Sequence, residues 1–352
     1  AGGGFVMGLV NTALAAAALA LCLSEREHVC NALAWRDLLP AALAAVCVAA
    51  MGASWQIDSR WSGLLLAVLA RALVEEPFLV CPVNPAAGLA LGAVLALLLG
   101  AGVAFGITSS TLLSLLTQSI IYAVFALGVG VLLKQNGMVS FGHALFFGGA
   151  SYLIGILLQL QLMSAELAIL VTLLAVTVAA FLIGLVIVRV PGVAFGMLTL
   201  AIGQMFFLTA SRARGLTGGA DGMNIDWPSR LFGFPMSQML KPATMFLVCW
   251  STLVVVVFLL AWLMRTRFGG ITEAVRDNEE RARFIGITTL LPRAAVYALS
   301  ALVTSVAGVL SAMNTGFVSP ESMHWSLSGV ALMMVVVGGF KALWGPAVGA
   351  VV

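Results

Sequence analysis

The sequence predicts an all-α fold, a polytopic transmembrane helical bundle of about 10 spans with one charged helix outside the membrane. Mean hydropathy is +1.11, and 62% of the residues are hydrophobic while only 9% are charged. Several apolar runs reach about 20 residues, the length with which a helix crosses roughly 30 Å of hydrocarbon. The 352 residues hold such a bundle but leave no room for a separate soluble domain.

Apolar segments follow one another along the whole chain as candidate spans. The segment 61–80 is the weakest, because Arg71, Glu75 and Glu76 favour a re-entrant or interfacial position. Residues 3–23 are expected to be a span and not a cleavable signal peptide, since no basic residue precedes the run. The candidate spans are 3–23, 38–55, 61–80, 86–107, 111–133, 138–160, 165–188, 193–210, 244–264, 294–313, 327–339 and 346 onward.

The stretch EAVRDNEERARFIG, residues 273–286, holds seven charges in this apolar chain. Burying each of them in the bilayer costs about 2.5 to 3.5 kcal/mol, so the stretch is expected in water. If it is cytoplasmic, alternation of the spans leaves only five of the 17 Lys and Arg residues in loops on the other side. The positive-inside rule agrees with that orientation. The five are Arg60, Arg212, Arg214, Arg230 and Lys241.

Residues 271–285 are predicted to form a short helix in water. Thr272 is the expected N-cap, Glu273 suits the positive end of the helix dipole, and Gly286 stands where a glycine stop is expected. Three i,i+4 ion pairs would support this helix. They are Arg276 with Glu280, Asp277 with Arg281, and Glu279 with Arg283.

A thin apolar stripe runs along the predicted helix and favours a protein partner. It is too narrow for stable insertion into lipid, and the acidic residues beside it are repelled by anionic headgroups. Docking into a groove on another protein fits better, with a solvated helix that contacts nothing as the alternative. The stripe consists of Ile271, Ala274, Val275, Ala282 and Ile285.

The stretch RFGGITEAVRDNEERARFIGI resembles the cytoplasmic loop of ABC-importer permease subunits, in which a Glu-Ala pair precedes a glycine by about a dozen residues. Glu273, Ala274 and Gly286 take those positions. More narrowly, the chain resembles the branched-chain amino acid permease family from about residue 110 to residue 352. It departs from the family pattern at Gly270, Thr272 and Phe340-Lys341. The matching blocks are GMVSFGHALFFGGASYL (137–153), VRVPGVAFGMLTLAIGQ (188–204), LTGGADGM (216–223), GFVSPES (316–322) and VVGGFKALWGPAVGA (336–350).

The resemblance implies a division into N-terminal transmembrane segments, 1–108, and a permease core, 109–352, with a cytoplasmic coupling helix in the loop 265–293. It implies the membrane subunit of an ATP-driven importer of branched-chain amino acids or a related small polar solute such as urea, an amide or another amino acid. The expected location is the bacterial inner membrane. The expected ATPase-coupling residues are Glu273, Ala274, Arg276 and Gly286.

The partners that the resemblance implies are a second homologous permease subunit, two cytoplasmic ATPases and a periplasmic substrate-binding protein. The chain has no G-x-x-x-x-G-K-[ST] phosphate loop with which to hold ATP itself. ATP is therefore expected on the partner subunits, and no cofactor or nucleic acid is expected on this chain. The five cysteines lack metal or redox spacing and are interpreted as packing residues, so no metal site is predicted.

Within the core, the run SFGHALFFGGA combines a histidine with small residues. Small residues allow helices to approach closely, and a buried histidine usually hydrogen-bonds a neighbouring backbone or hydroxyl group. Packing is the favoured interpretation, and lining of the transport pathway is the alternative. The candidates are Ser140, Gly142, His143, Gly148 and Gly149.

The loop 211–243 and the segment 314–329 are predicted on the outer side. The LTGGADG run lacks the lysine of a phosphate loop and the alternating oxygen ligands of a calcium loop, so a tight turn that contacts the binding protein is expected. The outer candidates are Gly218, Gly219, Asp221, Gly222, Ser319 and Pro320.

Two other function classes stay open at this stage. An ion-gradient-driven secondary transporter usually carries charged residues within its spans, and here only the 61–80 segment offers them. An intramembrane serine hydrolase would use Ser140 with His143, but the sequence shows neither an oriented base nor an oxyanion site.

Overall fold

The computed structural model describes residues 93–94, 96–98, 100–104, 109–161, 163–190 and 192–351. The predicted spans 3–23, 38–55 and 61–80 lie outside the described residues, as does most of the proposed N-terminal region 1–108. The described residues from 93 to 104, within the predicted span 86–107, are helical. Residues Ser109–Val351 form one compact unit, to which the following description applies.

This unit is built from helices with two small pairs of strands, as the all-α prediction requires. The strands are β1 Met223–Asn224, β2 Arg230–Leu231, β3 Phe234–Pro235 and β4 Phe317–Val318, and 3-10 turns cover Gly219–Asp221 and Pro320–Met323. The helices are α1 Ser110–Asn136, α2 His143–Gln159, α3 Ala165–Ile187, α4 Val193–Arg212, α5 Arg214–Thr217, α6 Met236–Met239, α7 Pro242–Arg265, α8 Arg267–Asp277, α9 Glu279–Phe284, α10 Leu290–Thr315, α11 Trp325–Gly338 and α12 Gly345–Gly349.

Five helices of the described region are long and apolar enough to cross a membrane, namely α1, α3, α4, α7 and α10. They confirm the predicted spans 111–133, 165–188, 193–210, 244–264 and 294–313. The apolar helices α2 and α11 are shorter, and the segment predicted from 346 onward holds only the short α12. The chain is therefore a multi-pass membrane protein.

Helices α1 and α10 form the centre of the bundle. In their most apolar stretches 72% and 78% of residues are buried, against 17% in α3. Glycines bring the central helices together: a Cβ on Gly128 of α1 would lie 2.9 Å from the Ser300 carbonyl oxygen, and one on Gly308 of α10 would lie 3.2 Å from Phe147 Cα in α2. Such backbone contacts are the usual way in which helices associate within lipid.

Helix α2 is shorter than the predicted span 138–160 because its first residues are not helical. Gly137 has a φ of 65°, which ends α1, and the following segment is extended or bent until His143. The buried backbone of this segment finds protein partners, since Phe141 N–H donates to Thr199 Oγ1 at 3.2 Å. Irregular backbone is tolerated at membrane depth when protein satisfies it in this way.

The loops sort to two ends of the bundle. At the outer end β1 pairs with β4, with Met223 opposite Val318, and so joins the loop 211–243 to the segment 314–329. The same loop forms the hairpin of β2 and β3. At the inner end α8 and α9 contact the C-terminus of α1 and the N-terminus of α10. This agrees with the predicted alternation of the spans.

Candidate functional site

The charged segment at the inner end forms two helices, and the predicted single helix over 271–285 is wrong. Asn278 interrupts it with φ −155° and ψ 101°. The Asn278 side-chain oxygen accepts a hydrogen bond from Arg281 N–H at 2.9 Å and so caps α9. Asparagine is a strong N-cap residue, which explains the restart. The predicted N-cap at Thr272 is also wrong, because α8 begins at Arg267.

The break at Asn278 changes the predicted ion pairs. The Glu279–Arg283 pair is confirmed. The Arg276 guanidinium instead contacts Asp277 at 2.7 Å and Glu273 at 3.7 Å, so the expected pairing with Glu280 is wrong. The predicted pairs of Arg276 with Glu280 and of Asp277 with Arg281 each require one continuous helix. Asn278 separates the partners of both pairs into α8 and α9.

Helix α8 is fixed to the end of α1 by polar contacts. The Thr272 hydroxyl donates to Gln135 Oε1 at 2.7 Å, and Arg276 Nη1 donates to the Lys134 carbonyl oxygen at 2.6 Å. Carbonyls at a helix C-terminus lack intrahelical partners and carry partial negative charge, so a guanidinium there satisfies and stabilises them. Arg276, a predicted ATPase-coupling residue, holds α8 on α1 through this hydrogen bond.

Helix α9 is fixed to the start of α10 through Glu279. Its carboxylate accepts hydrogen bonds from Arg293 at 2.7 Å and Thr289 at 3.0 Å. Burial raises the pKa of this carboxyl, but the hydrogen bonds from Thr289 and Arg293 and the charges of Arg293 and Arg283 outweigh it and lower the pKa below its ordinary value. Asn136 of α1 donates to the Arg293 carbonyl at 3.0 Å. One polar cluster therefore joins α1, α9 and α10.

The outward face of α8 and α9 is open to water. The Glu273 side chain is 60% exposed, and Ala274 is also exposed. The predicted apolar stripe is divided: Val275 and Ala282 are buried beneath the helices, whereas Ile271 and Ile285 are exposed. The stripe therefore contributes buried residues to the packing of the bundle and exposed residues to the surface.

Phe284 was missed by the sequence interpretation and is 89% exposed. Its position as the last residue of α9, two residues before the glycine stop, is the signal that could have identified it. Gly286 confirms that stop with a φ of 85°. Its N–H donates to the Arg283 carbonyl at 3.0 Å and Ile287 N–H donates to the Ala282 carbonyl at 3.0 Å, a Schellman arrangement that only a left-handed residue completes.

Deep in the bundle, His143 joins three elements in one buried network. The Ser300 hydroxyl donates to the Gly128 carbonyl at 2.6 Å, so Ser300 Oγ accepts from His143 Nε2–H at 2.6 Å. His143 Nδ1 is then the acceptor for the Ser140 hydroxyl at 2.8 Å. This hydrogen-bond order assigns the Nε2–H tautomer to a neutral imidazole.

The His143 network, defined as Gly128, Ser140, Gly142, His143 and Ser300, is closed to solvent. The side chains of Ser140, His143 and Ser300 are fully buried, and Gly142 N–H donates to Ser140 Oγ at 3.3 Å. Both ring nitrogens of His143 are occupied within the protein. The geometry therefore supports packing, and it offers no access for a hydrolase substrate.

The paired glycines of α2 face different surroundings. A Cβ on Gly148 would lie 2.6 Å from Ser322 Oγ, so α2 needs glycine here to approach the 3-10 turn Pro320–Met323. A Cβ on Gly149 would meet no heavy atom within 4 Å. Among the predicted α2 candidates, Gly149 is the one that borders open space.

The outer candidates lie together at the opposite end. Gly218, Gly219 and Gly222 have φ values of 72°, 67° and 76°, and Asp221 is exposed. A Cβ on Gly222 would lie 3.1 Å from Ser319 Cα, so the two predicted outer segments touch. Across the described residues no group of three or more His, Cys, Asp and Glu is placed to hold a metal ion.

Comparisons with known proteins find similar sequences over most of this unit. Residues 111–352 match the family described as "Branched-chain amino acid transport system / permease component". Over 243 residues the chain is 25% identical to the high-affinity branched-chain amino acid transport system permease protein LivM of Escherichia coli K12, covering 63% of this chain and 57% of LivM. It is 29% identical over 243 residues to the autoinducer 2 import system permease protein LsrC of Salmonella paratyphi B, covering 67% of this chain and 64% of LsrC. No solved structure matches.

Proposed function

Because this chain belongs to the family of branched-chain amino acid transport system permease components, we propose that it is the membrane-spanning permease subunit of an ATP-driven importer. The proposed substrates are branched-chain amino acids or a related small polar solute such as urea, an amide or another amino acid. The proposed location is the bacterial inner membrane. Family membership favours this function over an ion-gradient-driven secondary transporter.

The observation that carries the proposal is the two-sided construction of α8 and α9. Their inward side is tied to α1 by Thr272 and Arg276 and to α10 by Glu279. Their outward side presents Glu273 and Ala274 to water. A partner that binds the exposed side of such an element can move the bundle, because the other side of the element is fixed to it.

Movement of this element would reach the centre of the membrane through rigid helices. Helices α1 and α10 are the best buried of the described spans, and both contribute to the His143 network through Gly128 and Ser300. Coupling between distant sites requires such packed elements with two discrete arrangements. We therefore assign α8 and α9 as the coupling element through which a partner ATPase acts on this subunit, with the second ATPase acting on the second permease subunit.

The outer end is the proposed contact for a substrate-binding protein. The glycine-rich turn at 218–222 and the segment after β4 meet there and are held by the pairing of Met223 with Val318. The exposed apolar side chain of Phe317 lies beside this pairing. A second homologous permease subunit would complete the pathway, with Gly149 as the candidate in α2 that borders open space.

Charge reversal at the coupling element tests this proposal. We expect Glu273→Lys to reduce co-purification of the ATPase subunits encoded beside this chain, while the protein remains inserted in the membrane. Asp226→Lys is the matched control, because it reverses an exposed acid at the outer end and leaves the inner face unchanged. Equal ATPase recovery from both variants and the parent protein would show that Glu273 is not part of the contact.

A further inference from the structure

An apolar cavity of about 590 Å³ opens on the membrane side of the bundle. Its floor is the face of α10 that carries Val309 and Met313, and its walls are Leu173 of α3 and Val248 of α7. Its volume falls in the range of about 300 to 1,000 Å³ that is typical of sites for small molecules.

The lining excludes water and polar solutes as stable occupants. Apart from Gln238, Thr244 and Thr252, every side chain in the lining is aliphatic or aromatic or belongs to methionine. The Thr252 hydroxyl donates to the Val248 carbonyl at 2.8 Å within its own helix. A bound water needs two to four polar partners, and a cavity without them stays dry or takes an apolar group.

The depth of the cavity corresponds to one leaflet of a bilayer. Its wall on α7 runs from Thr244 to Thr252, about 12 Å along a helix axis, whereas the whole hydrocarbon core is about 30 Å thick. The hairpin of β2 and β3 closes the outer end with Leu231, Phe232 and Phe234. A partner helix that crosses the full membrane does not fit beneath this hairpin, whereas one acyl chain does.

Two exposed cations are close in sequence to lining residues and indicate the headgroup. Arg230 directly precedes the lining residue Leu231, and Lys241 lies between the lining residues Met239 and Thr244. One acid lies at the same rim, Glu166, whose carboxylate accepts a hydrogen bond from Phe232 N–H at 2.8 Å. The rim therefore carries excess positive charge at the level where lipid phosphates lie.

We propose that this cavity binds a phospholipid of the leaflet next to the 211–243 loop, with one acyl chain against α10 and the phosphate near Arg230 and Lys241. The lipid would seal the gap between α3 and α7 without contributing to the solute pathway. The proposal concerns a site other than the coupling element, and its test has no transport readout. Its failure would therefore leave the proposed function unaffected.

The test uses the full chain in nanodiscs that contain phosphatidylglycerol with a photoactivatable diazirine on its acyl chain. Mass spectrometry locates the labelled residues after irradiation. We expect several-fold stronger labelling at Leu173 and Val248, which line the cavity, than at Leu182, an exposed residue of α3 outside it. Labelling at the cavity that only equals labelling at Leu182 would overturn the proposal.

Filling the cavity provides the matched comparison. Val309→Trp should remove most labelling at Leu173 and Val248, and Leu182→Trp should leave it unchanged. Thr252→Phe replaces Val309→Trp if the latter does not fold, since Thr252 is half-buried at the cavity wall.

Arg230→Gln with Lys241→Gln should lower labelling by phosphatidylglycerol more than labelling by the phosphatidylcholine analogue. Loss of labelling when a second permease subunit is co-expressed would identify the cavity as a protein interface and contradict the lipid assignment.

Discussion

The inner end and the His143 network both attach other elements to α1 and α10, but they use different chemistry. At the inner end, fully charged side chains take part in holding α8 and α9, as in the Glu279–Arg293 pair. In the membrane centre, both side-chain hydrogen bonds of the neutral His143 imidazole are made with neutral hydroxyls. The difference follows from solvation, because an uncompensated charge costs far more within lipid than at its edge.

Steric fit should dominate stability in the membrane centre. We expect Gly128→Val to destabilise the protein by about 3 kcal/mol, since a Cβ there would lie 2.9 Å from a fixed backbone oxygen of α10. Gly149→Val is the control, because a Cβ at Gly149 meets no heavy atom and should change stability by less than about 1 kcal/mol. Thermal unfolding in detergent measures both, and similar shifts would refute the close approach of α1 and α10.

The neutral network should contribute the next largest effect. His143→Leu leaves the buried Ser140 and Ser300 hydroxyls without their imidazole partner, and we expect a loss of about 2 kcal/mol. His324→Leu is the matched control at the outer end, where the ring contacts Ser326, with an expected loss of less than about 1 kcal/mol. If His143→Leu unfolds at the temperature of the parent protein, the network does not stabilise the centre.

Charge pairing at the inner end should contribute less to stability than the close packing at Gly128 or the His143 network. Arg293→Gln removes the main partner of Glu279, and we expect a loss of about 1.5 kcal/mol because the Arg293 side chain is only 11% exposed. Arg281→Gln alters an exposed arginine of the same segment and should stay within about 0.5 kcal/mol. Limited proteolysis of the 265–293 loop reports local release, and equal cleavage of the two variants would contradict the anchoring role.

The smallest effect should be a dependence on pH. The folded pKa of Glu279 lies below its ordinary value of 4.5, so its contribution to stability is complete above that value and is lost as the pH falls through the folded pKa. In the parent protein, we expect the 265–293 loop to be cleaved faster below pH 4.5 by a protease that is active at both acid and neutral pH, with rates normalised to an unfolded substrate. In Glu279→Gln this sensitivity should already be present at neutral pH and should vary less with acidification.

Composition and hydropathy predicted most of the bundle, because lipid selects long apolar helices wherever they occur. The five described spans and the glycine stop at Gly286 follow from local rules of that kind. The boundaries of α2 and α8 do not. Helix α2 begins at His143 because Thr199 accepts a hydrogen bond from the backbone N–H just before the helix and Ser328 accepts one from the N–H of its second residue. Both partners are distant in sequence.

Helices α8 and α9, the proposed coupling element, show for single residues that local sequence rules are not sufficient. Thr272 was predicted as an N-cap from its neighbours, but its hydroxyl bonds Gln135 from another helix. Asn278 carries a recognisable capping side chain, yet the charges around it favoured one continuous helix in the sequence interpretation. A tertiary partner decided the role of Thr272, and hydropathy contains no information about it. The break at Asn278 follows from a local cap that the sequence interpretation did not weigh against the surrounding charges.

We infer that α8 and α9 transmit force because they are fixed to α1, and a substitution of Arg276 tests this inference. In proteoliposomes with the partner ATPases and binding protein, solute uptake and ATP hydrolysis are measured together for Arg276→Gln and the control Arg281→Gln. We predict that Arg276→Gln keeps ATPase binding and hydrolysis but moves several-fold less solute per ATP, whereas the control behaves like the parent protein. Unchanged uptake per ATP in Arg276→Gln would contradict the account.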